Sequence, residues 1–154
     1  MAPIPTRQLG DGVLLRLVPL LEAAGFHEVA LWHGDSNLKV SGREIRLERW
    51  ADDAIDCVHI NFDKYRDPRL AIWISRRRRT DPMTIVRGAC LTKSRRNYYD
   101  WWGKPWWLPM RLWPIEGPTK VIDRLSRIVP QLFAFLEYGE RGPNIGRFAD
   151  GIAY

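Results

Sequence analysis

"IDCVHINFDKYRDPRLAIWISRR" (residues 55–77) is the stretch on which the fold reading turns. Its two halves alternate apolar and polar residues, and "YRDP" between them has turn composition. A period of two is the signature of a strand with one face against a core. Two such runs joined by a short turn predict an antiparallel pair. Sorting by parity puts Val58, Ile60, Phe62, Leu70, Ile72 and Ile74 on one side. Cys57, His59, Asn61, Trp73, Ser75 and Arg77 fall on the other.

The same alternation extends upstream. "REIRLERW" (residues 43–50) adds Ile45 and Leu47 to the apolar side and Arg46, Glu48 and Trp50 to the other. "EVALW" (28–32) and "LKV" (38–40), separated by the turn residues "HGDSN", read as further short strands, with Trp32 on the polar-aromatic side. Consecutive strands with tight turns favour a meander.

Two helical patterns flank the strands. Residues 9–24 carry apolar positions on one broad stripe, with Gly25 as a stop and Pro19 as a kink or a displaced start. "EGPTKVIDRLSRIVPQLFAFLEYG" carries a second stripe, with Thr119 as N-cap, Pro130 as a kink and Gly139 as a stop. The expected architecture is α+β: a single antiparallel sheet of about five strands, helices on one face and an irregular Trp-rich excursion on the other. One domain spans 1–154, divided as helix 7–25, meander 28–78, basic Trp-rich excursion 79–118, helix 119–138 and irregular tail 139–154.

"LVPLLEAAGF" (17–26), "IDCVHINFDKYRDPRLAIWI" (55–74) and the closing amphipathic helix resemble small bacterial proteins classed as a domain of unknown function. The resemblance covers about two thirds of the chain and implies a helix, an antiparallel sheet and a final helix. It brings no activity with it, and the Trp-rich insert departs from it.

That insert concentrates the unusual chemistry. "RNYYDWWGKPWWLPMRLWP" (96–114) holds five of the eight tryptophans and two of the five tyrosines. The net charge of +6 is also localised: residues 69–111 contain 11 Lys/Arg and 2 Asp (+9), and the rest of the chain 13 Lys/Arg and 16 Asp/Glu (−3). A concentrated positive field attracts anions. Arg76, Arg77, Arg78, Arg79, Arg95 and Arg96 with Trp101, Trp102, Trp106 and Trp107 are therefore the candidate binding residues for an acidic protein or a nucleic acid.

Three readings of the insert compete. Arginines could neutralise phosphates while indoles stack on bases. Trp and Tyr could lie in a membrane surface, although Pro105, Pro109 and Pro114 interrupt any continuous amphipathic helix. Or the rings could fold as a lid over the polar-aromatic sheet face. Each ring buries on the order of 150–250 Å², so most need cover from the domain or a partner.

Catalytic signatures are weak. No histidine spacing matches a zinc motif, and "GERGPNIG" (139–146) lacks the context of a phosphate loop. Cys57 and His59 share a face but lack a completing group, and Asp52, Asp53 and Asp56 read as turn caps. The first expectation is a non-catalytic binding module with an anionic partner and no cofactor or metal. The alternative is a small enzyme with a pocket of His59, Asn61, Trp73 and Trp50 under the lid, His59 as acid/base and Arg77 as anion clamp. Two cysteines, no secretory leader and no apolar run long enough to span a bilayer point to a reduced cytoplasmic protein.

Overall fold

The computed structural model describes residues 3–29, 44–93 and 101–149. "LKV", most of "EVALW" with Trp32, and Arg95 and Arg96 lie outside the described residues. The fold is α+β with one antiparallel sheet, as the alternation predicts. The strands are β1 (His27–Glu28), β2 (Glu44–Trp50), β3 (Ala54–Phe62), β4 (Arg69–Arg78), β5 (Ile85–Leu91), β6 (Trp102–Gly103) and β7 (Ile145–Ala149). They pair in the order β1-β2-β3-β4-β5-β7, with β6 on β4. The sheet thus has seven strands rather than about five.

The N-terminal helix begins earlier than its apolar stripe suggests, as α1 (Ile4–Gly12), and continues through a π-helical turn (Val13–Leu17) into α2 (Val18–Ala23). Pro19 opens α2 and cannot donate to the preceding turn, so the wider π turn directly upstream accommodates it. Helix α3 (Gly117–Tyr138) runs on through Pro130 and ends at Gly139 in the left-handed conformation (φ 74°). It starts before Thr119, because Pro118 has its φ already set for a first helical turn.

The helices cover one face. Leu9, Val13, Leu17 and Leu21 join Ile122, Leu125, Val129, Leu132 and Leu136 over Leu47, Val58, Ile60, Leu70, Ile72 and Ile74. Phe26 and Phe133 stack at 6.1 Å between ring centres.

Two segments expected to be irregular are strands. "IVRGACL" forms β5 through a tight connection in which Arg78 N donates to Thr84 O. Gly88 and Arg87 hide its alternation from the sequence. The tail forms β7 because it is docked at its start. Asn144 Nδ2 donates to the carbonyls of Thr92 and Lys93, Gln131 Nε2 donates to Asn144 Oδ1, and Ile145 is fully buried beyond them.

The Trp-rich segment meets the helix side. Trp102 is 1% exposed within the same core, its Nε1 donating to Leu91 O and Arg124 of α3 lying 5.2 Å from its ring centre. Its placement needs Gly103 at φ +120°, where a Cβ would stand 2.2 Å from Pro68 O. The buried Lys104 ammonium donates to the carbonyls of Leu108 and Pro105 and pairs with Asp67. The lid expectation is therefore corrected at Trp102, whose ring is core on the opposite side of the sheet.

Candidate binding face

The face of the sheet away from the helices is assembled row by row. Arg46, His59, Trp73 and Cys90 are aligned across β2 to β5, with Glu48, Cys57, Ser75 and Gly88 in the next row. Beyond them come Trp50, Ile55, Arg77 and Ile85, the last reached past a register shift at Arg76/Arg77. Gly88 brings no side chain opposite Ser75, and a hollow remains between Trp73 and Arg77. It is a pocket of about 210 Å³ bordered by Arg46, Cys57, His59, Trp73, Ser75 and Arg77.

Of the expected pocket residues, His59 and Trp73 border the hollow. Asn61 and Trp50 share the face but lie off the pocket wall. Sequence parity already put Arg46, Cys57 and Ser75 on this face. Their convergence on a cavity depends on Gly88, in a strand that parity does not reveal.

Electrostatics give these groups distinct states. Burial pushes the Cys57 thiol above its ordinary range, against the opposing pull of Arg46 and Arg77, so it is a neutral thiol. That removes the thiolate from the Cys57/His59 pair. Burial also lowers His59 below its ordinary value near 6.5, with Glu44 opposing. Glu44 Oε2 lies 3.5 Å from His59 Nε2, and Arg46 Nη2 donates to Glu48 Oε1 at 3.0 Å. Arg77 Nη1 donates to Pro82 O.

The arginine run is divided by strand parity. Arg76 turns to the helix side and grips Asp56, while Arg77 turns to the open face. Arg79 lies over the Trp50 ring at 5.3 Å, and Arg78 is solvent-exposed at the strand end. Arg76, one of the candidate binding arginines, is thus engaged with Asp56 on the helix side. Asp56 is correspondingly not a turn cap. It sits fully buried in β3, held by Arg49 and Arg76.

The tryptophans also divide. Trp50 (53% exposed) and Trp73 (39%) face solvent from the open face, and Trp106 (71%) and Trp107 (66%) from the turn after Lys104. Trp101 is partly covered by Arg69, whose guanidinium lies 5.4 Å from its ring centre and is fixed by Asp63. Among the described residues no three His, Cys, Asp or Glu side chains gather as a metal site, and no helix is long and apolar enough to cross a membrane.

Fold and face together define an α+β sheet domain with helices packed on one side and, on the other, exposed Trp50 and Trp73 beside buried Ile55, Cys57, Ile85 and Cys90. No protein-family model, curated protein or solved structure matches the chain.

Proposed function

We propose that this protein is a non-catalytic binding module of the reduced cytoplasm whose open sheet face engages the acidic surface of a partner protein. The supporting observation is the pairing of exposed Trp50 and Trp73 with Arg77 and Arg79 on that face. Tryptophan and arginine dominate the energetics of protein interfaces, because a rigid apolar ring and a forked cation bury well together. The positive charge concentrated in residues 69–111 steers acidic partners toward it. A nucleic acid, the other anionic candidate, fits less well. Glu44 and Glu48 stand among the arginines of this face and would repel a phosphate backbone. Trp106 and Trp107 supply a second exposed aromatic pair.

The test is enrichment of partners from nuclease-treated extract of the source cells. Binding is then measured with the purified partner against Trp50→Ala, Trp73→Ala and the parent, across a salt series. Salt-sensitive protein binding lost in both variants supports the reading. Binding that vanishes with nuclease, or transfers to a labelled single-stranded oligonucleotide, replaces the partner with nucleic acid. Undiminished binding by both variants refutes the face.

A further inference from the structure

The pocket beside Trp73 is built more specifically than a generic contact face requires. Among the described residues, Arg46 and Arg77 are the ionised side chains on its wall, with Glu48 paired to Arg46 and Glu44 beside His59 off that wall. Arg46 Nε is shut off from solvent without a hydrogen-bond partner among the described residues, and His59 Nε2, equally shut off, meets Glu44 Oε2 at 3.5 Å without hydrogen-bond geometry. A buried N–H left unpaired costs about 1–3 kcal/mol, so such a donor is expected to have a ligand to satisfy. Arg46 and His59 belong to the pocket wall, which Ser75, Trp73, Cys57 and Ile85 also line. We infer that this pocket receives a single carboxylate group, with Arg46 Nε as the donor, Arg77 as the second cation and the His59 ring on the wall beside it.

Three features favour a carboxylate over a phosphate. Glu48 already offsets part of the Arg46 charge, leaving a field suited to one negative charge rather than two. A carboxylate is planar and matches the fork of a guanidinium edge. The hollow of about 210 Å³ is smaller than a drug-sized site, commonly about 300–1,000 Å³, and suits a short side chain or a small acid. The inference rests on the open-face reading where the carboxylate comes from a partner protein, and stands apart from it where the ligand is a free acid.

The probes are amide-blocked glutamate, succinate and inorganic phosphate, followed through the His59 ring resonances of the intact protein by NMR. Saturable shifts with the carboxylates, and weaker ones with phosphate, are expected. Tighter binding of blocked glutamate assigns the pocket to a partner's side chain, and tighter binding of succinate to a free acid. Arg46→Met should weaken either by about tenfold or more, as loss of a charged hydrogen bond does. Arg46→Lys should restore part of it, and Lys120→Gln on α3 should change nothing. Should Arg46→Met fail to fold, the parent spectra still decide. Absence of any carboxylate shift, preference for phosphate, or parental affinity in folded Arg46→Met overturns the inference. A partner that binds through Trp50 and Trp73 while no carboxylate moves His59 sinks the pocket alone. Carboxylate binding with Trp50 and Trp73 dispensable to the partner sinks the open-face reading alone.

Discussion

Arg76 of β4 and Asp56 of β3 face each other across the sheet, Arg76 Nε donating to Asp56 Oδ1 at 2.6 Å and Nη2 to Oδ2 at 2.9 Å. Arg49 closes the carboxylate from β2 at 2.8 Å, and Arg76 and Arg49 reach on to the Glu137 carbonyl and carboxylate at the end of α3. The Asp56 clamp therefore ties three strands to the C-terminus of a helix, where cations also favour the helix dipole.

Breaking that clamp should be costly. Asp56→Asn leaves two largely buried guanidinium groups facing each other with Glu137 as the carboxylate still paired to Arg49, and should lose about 3–5 kcal/mol. Urea unfolding measures it. A variant as stable as the parent would show the triad to be dispensable.

The sheet–helix core makes a second prediction. Ile60 and Leu125 are fully buried on its two sides, so Ile60→Ala and Leu125→Ala should each cost about 2–5 kcal/mol. Thermal or denaturant midpoints check this, and parental midpoints for both would contradict the packing described.

The tryptophans supply an internal contrast. Trp102→Ala empties a core position and should cost about 3–5 kcal/mol. Trp107→Ala removes an exposed ring and should stay within about 0.5 kcal/mol. Equal losses in the two variants would mean that Trp107 is covered.

His59 gives the pH dependence. Its folded-state pKa lies below the unfolded value near 6.5, set mainly by burial and opposed by Glu44, with Arg46 and Arg77 adding to the depression. The neutral ring is the form that folding favours. Its stability contribution is full above pH about 6.5 and is lost as pH falls through the lower folded pKa. His59→Gln should flatten that part of the stability profile. An NMR titration giving His59 a value above the ordinary one would reverse the sign.

Parity along β2, β3 and β4 determined most of the fold and the residue set of the open face. The pleat leaves no freedom: Val58, Ile60, Ile72 and Ile74 must share one side, and His59, Trp73 and Arg77 the other. The helical stripes were equally legible, because burying them requires a partner surface of the same character. What the sequence could not determine depends on long-range closure. Arg76 and Arg77 are adjacent and chemically identical, yet one is bound to Asp56 from β3 and the other borders a pocket. Trp102 and Trp107 belong to one aromatic run. Only the first is buried, because β6 pairs with β4 and carries it beneath α3. The pocket itself exists because Gly88 of β5 meets Ser75, and β7 lies beyond it only because Asn144 and Gln131 dock the tail. Pairings between distant segments are set by the free energy of the whole packed arrangement, and local composition carries no record of them.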